Sequence, residues 1–224
     1  MPSSERFSCA AWRLYVIIDR AACGARDLAD VAQGAIRGGA DVLQLRDKAA
    51  SSEALIESAR RLLALTRAAG LPLIINDRVE VARAVGADGV HLGQDDTSVE
   101  SARACLGPTC LIGKSTHRVE QALAAQTQDV DYIGLGPIFP TPTKPTYGHI
   151  GPETIALVVP MSRVPVVCIG GLNEQTLSSV LERGAVCVAV VRAVCSASEP
   201  YEATRACKRL VIEYHNRAGP QPKL

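Results

Sequence analysis

Cationic and amide side chains follow an apolar run near residue 44. Gln44, Arg46 and Lys48 stand two residues apart, so an extended chain places all three on one face. Two cations and an amide on one side suit a ligand with two negative charges. The alternative is that Arg46 pairs with a neighbouring carboxylate and only braces the structure around it.

Carboxylates end the next two apolar runs. Asp77 follows Asn76, and Asp95 and Asp96 close the segment that begins at His91. Asp77 together with Asp96 or its neighbour is suited to bridge a Mg²⁺ ion that also binds phosphate oxygens, because Mg²⁺ prefers oxygen ligands. Each aspartate is equally a candidate for a helix N-cap. His91 alternates with apolar residues, and we interpret it as a satisfied interior histidine in preference to a base.

Hydroxyl groups and a rigid loop follow the fifth and sixth apolar runs. Ser115 offers a donor to a ligand, although it could equally cap the next helix. Two glycines and four prolines in residues 134–145 indicate a stiff loop that presents Thr141, Thr143 and Lys144. The alternative for this segment is a proline-rich surface connection.

The last two apolar runs lead into Gly170 and Gly171 and into Val191 and Arg192. In an eight-stranded α/β barrel, backbone amides after strands seven and eight bind phosphate, because glycine admits a close approach and a helix N-terminus adds its dipole. We therefore expect a phosphate site at these two strand ends.

The elements that position these residues alternate along the whole chain. Short apolar runs alternate with longer segments of helical period, which predicts repeated βα units and a parallel sheet. The eight predicted strands are Leu14–Ile18, Asp41–Leu45, Pro72–Ile75, Gly89–Leu92, Cys110–Gly113, Tyr132–Leu135, Pro165–Ile169 and Val186–Val191. Helices are predicted near 27–37, 52–69, 78–85, 98–105, 118–127, 152–159, 174–183 and 200–216. This count favours a single (β/α)₈ TIM barrel of class α/β over an open doubly wound sheet.

Length and composition set the remaining expectations. The 224 residues suit one domain, with residues 1–12 as an N-terminal extension, 13–217 as the catalytic barrel and 218–224 as a frayed tail. A net charge of +1 and 4% aromatic residues argue against a nucleic-acid partner, and no apolar run is long enough to span a membrane. The sequence leaves a homo-oligomer open.

The eight cysteines form no Cys-x-x-Cys pair. Several lie in or beside apolar runs, so we expect buried, inert thiols in preference to metal or disulfide chemistry. The chain also shows no secretory signal, and we expect a cytoplasmic protein.

Six of these segments, taken in order, resemble the thiamine phosphate synthase family. They are Gln44-Leu-Arg-Asp-Lys48, Asn76-Asp77-Arg78, His91-Leu-Gly-Gln-Asp-Asp96, Gly113-Lys-Ser-Thr-His117, Gly134-Leu-Gly-Pro-Ile-Phe-Pro-Thr-Pro-Thr-Lys144 and Ile169-Gly-Gly171. The resemblance implies a transferase that joins 4-amino-2-methyl-5-hydroxymethylpyrimidine diphosphate to a thiazole phosphate and releases pyrophosphate. Both substrates are small molecules, and Mg²⁺ is the implied cofactor.

The resemblance also implies a role for each site residue. The pyrimidine diphosphate is expected on Gln44, Arg46, Lys48, Asn76, Ser115 and Lys144, of which Arg46, Lys48, Lys144 and Ser115 are the expected catalytic residues. The thiazole phosphate is expected on Thr141, Thr143, Gly171, Val191 and Arg192, and Mg²⁺ on Asp77 and Asp96. Whether the thiazole carries a carboxylate is left open.

One departure from the family pattern and two rival interpretations qualify the resemblance. Val186 and Cys187 stand where the family usually has Asp-Gly, at the end of the barrel that serves stability. The nearest rival is a thiazole tautomerase on the same barrel, which would not need Arg46, Lys48, Asp77 and Asp96 together. A non-catalytic phosphate-binding barrel is the rival from a different class.

Overall fold

Eight short parallel strands close into a barrel in sequence order, with β8 pairing back onto β1. The computed structural model describes residues 7–142 and 148–218. The strands are β1 (Leu14–Asp19), β2 (Val42–Arg46), β3 (Leu73–Asn76), β4 (Gly89–Leu92), β5 (Leu111–Thr116), β6 (Tyr132–Leu135), β7 (Val166–Ile169) and β8 (Cys187–Val190). The predicted (β/α)₈ barrel is confirmed, and the open sheet is wrong.

A helix follows each strand on the outside of the barrel. The helices are α1 (Arg20–Cys23), α2 (Leu28–Arg37), α3 (Ser52–Ala69), α4 (Val79–Val85), α5 (Val99–Leu106), α6 (Val119–Ala125), α7 (Glu153–Val158), α8 (Leu177–Leu181), α9 (Arg192–Cys195) and α10 (Pro200–Ala218). Two 3₁₀ helices, Cys9–Ala11 and Val159–Met161, complete the described helices. The short α1 and α9 lie between predicted elements and were not predicted.

Capping decides where several helices begin. Helix α8 was predicted from 174 but begins at Leu177, because Asn173 Oδ1 accepts the amides of Gln175 and Thr176 in an Asx turn. Helix α5 is capped by Ser98, and α4 has no side-chain cap. The N-cap interpretation of Asp77 and Asp96 is therefore wrong.

Alternating side chains divide the core into two layers. In β1, Tyr15 and Ile17 point into the barrel, while Leu14, Val16 and Ile18 pack under the helices. The inner layer comprises Cys9, Trp12, Tyr15, Ile17, Val42, Ile74, Leu111, Tyr132, Val167, Cys187 and Ala189. The segment before β1 thus contributes Cys9 and Trp12 to the inner layer, and Trp12 meets Tyr132 edge-on with ring centroids 5.3 Å apart.

At the amino-terminal end of the barrel, an aspartate before each of β2, β4 and β6 accepts a backbone amide of the preceding strand. Asp41 accepts the amide of Leu14 at 2.8 Å, Asp88 that of Leu73 at 3.0 Å, and Asp131 that of Ile112 at 2.7 Å. Val186 occupies the same place before β8 and cannot make this bond. Its carbonyl instead accepts a hydrogen bond from His215 Nε2 of α10, at 3.1 Å.

Candidate active site

A cavity of about 440 Å³ opens at the carboxyl ends of the strands, where (β/α)₈ enzymes hold their substrates. Its volume lies in the range of small-molecule sites. Eight of the predicted site residues line it: Gln44, Arg46, Asn76, Ser115, Thr141, Gly171, Val191 and Arg192. The fold therefore brings together residues that are separated by up to 148 positions in the chain.

Arg46 is held in the cavity wall by a carboxylate at the end of β1. Its Nη1 donates to Asp19 Oδ2, and Asp19 is only 2% exposed. Asp19 also accepts the amide of Ala22 at 2.9 Å and so caps α1. The pairing that we considered as an alternative for Arg46 is present, but Arg46 still lines the cavity. We did not predict Asp19, although it is the first polar residue after the apolar run of β1.

Gln44 and Ser115 are buried polar residues on the cavity wall, 2% and 8% exposed. Gln44 Nε2 donates to the Tyr15 hydroxyl at 2.8 Å, and Ser115 Oγ lies 2.9 Å from His91 Nε2. Helix α6 has no side-chain cap, so Ser115 does not serve as one. Both ring nitrogens of His91 have partners, as expected of a satisfied interior histidine.

The two predicted metal ligands lie side by side and form a second cluster with Lys48. Lys48 Nζ is 3.2 Å from Asp77 Oδ2, and the Lys48 side chain is 59% exposed. Burial, together with the hydrogen bond and charge of Asp96, raises the pKa of Asp77. The pKa of Asp96 is lowered: burial opposes this, but the hydrogen bonds from Asp77 and from the Gly93 amide outweigh it. Asp77 therefore holds a proton more firmly than an isolated aspartate does, because it is buried beside a second carboxylate.

The donor set of this cluster fits Mg²⁺. Among the described residues, no three His, Cys, Asp or Glu side chains converge as a protein cage for a metal. Mg²⁺ commonly takes only one or two carboxylates and completes its shell with water and phosphate oxygens. Asp77 also has a left-handed backbone, with φ of 63°, a strained conformation of the kind that clusters at functional sites. None of Lys48, Asp77 and Asp96 lines the cavity, but Asp77 directly follows Asn76, which does.

The stiff loop after β6 packs against the glycine turn after β7. The amide of Ile138 donates to Ile169 O at 2.8 Å, and that of Phe139 to Gly170 O at 3.1 Å. Gly171 has φ of 66°, and a Cβ there would lie 2.7 Å from Phe139 Cβ, so only glycine fits this contact. This loop brings Thr141 to the cavity, while Thr143 and Lys144 lie outside the described residues.

Val191 and Arg192 stand where β8 leads into α9. Val191 is the N-terminal flanking residue of this helix, and Arg192 is its first residue. Both line the cavity on the same side as Gly171 and Asn173 of the neighbouring β7 loop. The predicted phosphate-binding strand ends therefore share one wall.

Sequence reasoning missed two tyrosines that line the cavity from inside the barrel. Tyr15 and Tyr132 both line the cavity and are 1% and 0% exposed, yet each reads as an apolar strand residue in the sequence. Period-two alternation along β1 and β6 was the available signal, because it places Tyr15 in line with Asp19, and Tyr132 in line with Gly134.

The fold and the cavity place this chain in the (β/α)₈-barrel class of enzymes, with a small-molecule site at the carboxyl ends of the strands. A family model described as thiamine monophosphate synthase matches residues 14–194. The chain belongs to this family, and it is a transferase of thiamine biosynthesis.

Similar proteins support this assignment over nearly the whole chain. A thiamine-phosphate synthase of Roseiflexus sp. (strain RS-1) is 45% identical over 92% of this chain and 89% of its own length. One of Roseiflexus castenholzii is 46% identical over 86% of this chain and 85% of its own. A solved structure, the thiamine phosphate pyrophosphorylase of Pyrococcus furiosus, has a TM-score of 0.84 at 35% identity and covers 92% of this chain and 98% of its own.

No helix of the described residues is both long and apolar enough to cross a membrane.

Proposed function

We propose that this enzyme joins 4-amino-2-methyl-5-hydroxymethylpyrimidine diphosphate to 4-methyl-5-(2-hydroxyethyl)thiazole phosphate, or to its carboxylated form, and releases pyrophosphate. The observation that carries the proposal is one cavity with two different walls. Gln44, Arg46, Asn76 and Ser115 form one wall, and the glycine turn and the β8 end form the other. Such a site can hold two phosphorylated rings against each other.

The reaction needs charge neutralisation and positioning more than a nucleophilic side chain. The bond between the pyrimidine methylene carbon and the diphosphate oxygen breaks, and its electron pair leaves with pyrophosphate. The thiazole nitrogen then forms the new bond to that carbon. The cation on the methylene is stabilised by the aminopyrimidine ring, so the protein must chiefly stabilise the leaving group and align the two rings.

Arg46 is the described cation best placed for the leaving group. Its pairing with the buried Asp19 restricts the guanidinium, so little conformational freedom is lost on binding. Lys48 lies beside the carboxylate pair at the more exposed edge of the mouth. Lys144 belongs to the proposal through the family resemblance.

Asp77 and Asp96 would hold Mg²⁺, which supplies positive charge to the departing phosphate oxygens. Lys48, 3.2 Å from Asp77, would then turn from the carboxylate towards the diphosphate. Thr141, Gly171, Val191 and Arg192 would hold the thiazole phosphate on the opposite wall. A cytoplasmic location is part of the proposal and is supported by the eight free cysteines.

The direct test is formation of thiamine phosphate and pyrophosphate from the two purified substrates. We expect product only when both substrates and Mg²⁺ are present. Isomerisation of a carboxylated thiazole phosphate alone, without pyrophosphate release, would instead establish the tautomerase. Binding of both phosphates without any turnover would establish a non-catalytic barrel.

The role of the cation is tested by Arg46→Lys. An ammonium cannot reproduce a bidentate contact to phosphate oxygens, so we expect kcat to fall at least about tenfold, or about 1.4 kcal/mol of transition-state stabilisation. Arg61→Lys is the matched control, because Arg61 pairs with Asp27 on the exposed face of α3. Wild-type kcat in Arg46→Lys would contradict the proposed role.

The metal site is tested by chelation and by Asp77→Ala and Asp96→Ala. We expect a loss of about 100-fold or more in kcat/KM, roughly 3 kcal/mol, with the fold retained by circular dichroism. Calorimetric titration of Mg²⁺ in the presence of pyrophosphate should lose its binding signal in both variants. Asp129→Ala, which removes a 75% exposed carboxylate, should change neither measurement. Full activity in excess chelator would overturn the metal proposal.

A further inference from the structure

Five polar side chains form a continuous hydrogen-bonded chain across the floor of the cavity. Gln44 Nε2 donates to the Tyr15 hydroxyl at 2.8 Å, and the Tyr15 and Tyr132 hydroxyls lie 3.0 Å apart. The Tyr132 hydroxyl is 3.1 Å from His91 Nδ1, and His91 Nε2 is 2.9 Å from Ser115 Oγ. The chain thus joins two predicted substrate-binding residues from β2 and β5 through three residues without a role in the proposed chemistry.

The surrounding barrel makes room for this chain and holds its rings. A Cβ at position 113 would lie 2.2 Å from Tyr132 Cζ and 2.4 Å from His91 Nδ1, so Gly113 of β5 is required for both rings to sit there. Trp12 packs edge-on against Tyr15 and Tyr132, with centroids 5.8 and 5.3 Å apart. Each ring is therefore fixed by packing, and its polar atom is held in line with the next.

Both tyrosines keep their protons. Burial raises the pKa of Tyr15 and of Tyr132 well above the ordinary value. Each hydroxyl therefore has one proton to donate, and the described residues offer it no partner besides its two neighbours in the chain. This restriction allows the protons to be assigned in sequence.

Starting from Gln44, the donor and the acceptor of each hydrogen bond in this series can be assigned. Because Tyr15 accepts from Gln44 Nε2, its own proton goes to Tyr132. Tyr132 must then donate to His91 Nδ1, so a neutral imidazole carries its proton on Nε2 and donates it to Ser115 Oγ. The hydroxyl proton of Ser115 is left for a ligand. At the other end, Gln44 Oε1 accepts no hydrogen bond from any described residue.

We propose that Tyr15, Tyr132 and His91 are positioning residues that make Gln44 present an acceptor and Ser115 a donor to the substrate ring. The inference deepens the proposed function and rests on it for the identity of the ring. An aminopyrimidine matches this polarity, because it brings an amino N–H donor and an unprotonated ring nitrogen. The two ends are coupled. If Gln44 accepted from Tyr15 in place of donating to it, every hydrogen bond in the series would reverse its direction, and Ser115 would donate to His91 in place of the substrate.

The proton order is tested first without substrate. Two-bond ¹⁵N–¹H correlation spectra of uniformly labelled protein report which ring nitrogen of a neutral histidine carries the proton, and His91→Gln identifies the His91 signals. About two pH units above the ordinary histidine pKa of about 6.5, we expect the Nε2–H form. The Nδ1–H form would mean the opposite proton order and would overturn the proposal.

The influence on the substrate is tested by the affinity for 4-amino-2-methyl-5-hydroxymethylpyrimidine diphosphate, measured by calorimetry without the thiazole partner. Tyr132→Phe keeps the packed ring but breaks the chain at its centre. Loss of one ordered hydrogen bond should weaken binding about fivefold. Tyr201→Phe on α10, whose ring packs against Arg37 and Arg205, is the control and should leave binding unchanged.

A double-mutant cycle separates positioning from a merely structural effect. In a Gln44→Ala/Ser115→Ala background both ends of the chain are absent, so Tyr132→Phe should change affinity by less than about twofold. An equal loss in both backgrounds would show that Tyr132 acts through general packing and would overturn the proposal. If wild type fails to bind the pyrimidine diphosphate at all, the proposed function fails, while the histidine spectra still decide the proton order.

Discussion

At the scale of single residues, the site depends on charges that the barrel interior must neutralise. Asp19 is 2% exposed at the end of β1, and a buried carboxylate is stable only with a cation and hydrogen bonds around it. Arg46 and the amide of Ala22 supply both. Asp19 therefore stabilises the fold and directs the guanidinium along the cavity wall.

Asp19→Asn tests this double role. Asparagine still accepts the Ala22 amide, but Arg46 loses its charge partner in a largely desolvated place. We expect the free energy of unfolding to fall by about 1–3 kcal/mol, measured by chemical denaturation, and kcat/KM for the pyrimidine diphosphate to fall with it.

Asp27→Asn is the matched control for this substitution. Asp27 also caps a helix, accepting the Ala29 amide at 2.7 Å, and also pairs with an arginine. Its pair with Arg61 is exposed, so solvent screens the charge and stability should stay unchanged. Equal losses in the two variants would show that burial of Asp19 contributes nothing.

At the scale of elements, a large side chain on one strand packs in the inner layer beside a glycine on the neighbouring strand. Tyr132 of β6 fills the place that Gly113 of β5 leaves open, and His91 of β4 enters from the other side. Strand β5 is adjacent to both β4 and β6, so the absence of a side chain at Gly113 leaves space for the rings of His91 and Tyr132. A site deep in a close-packed barrel needs a small residue on one strand wherever a neighbouring strand contributes a ring.

Gly113→Ala should therefore be costly. Its methyl group would overlap Tyr132 and His91, and overpacking of a core typically costs about 1–3 kcal/mol. We expect lower thermal stability and weaker binding of the pyrimidine diphosphate. Gly148→Ala is the control, because a Cβ there meets nothing within 4 Å and its φ is not left-handed. A stability equal to wild type in Gly113→Ala would mean that the rings can shift without penalty.

At the scale of the whole molecule, the closed barrel and its helices bury most of the cysteine thiols and so suppress their reactivity. Seven of the eight thiols are buried and all eight are free. Burial raises the pKa of Cys9 and Cys168 to about 12 and that of Cys110 and Cys207 to about 11. These thiols stay protonated and inert, because the thiolate is the reactive form.

We expect reductant to leave the melting temperature unchanged, since no disulfide restrains the unfolded chain. A thiol reagent should label only the exposed Cys105 rapidly in the native protein and all eight cysteines after denaturation. A drop of several degrees in the melting temperature on adding reductant would contradict this prediction.

The fold was predictable because its signals are local and repeated. Apolar runs of four to six residues are bounded by polar strand ends, and all eight predicted strands overlap an observed one. Boundaries shifted where a side chain captured backbone amides, as at Asn173. The helices α1 and α9 escaped prediction, because four residues are too few to show a helical period.

Sequence alone determined the class of fold, the polar residues at the strand ends and the family they belong to. It did so because periodicity and short motifs depend on neighbours in the chain. Only the tertiary structure decided the partner of Arg46, the contact between Asp77 and Asp96, and the chain from Gln44 to Ser115. These contacts join residues 19 to 117 positions apart, and barrel closure alone sets which inward side chains share a layer.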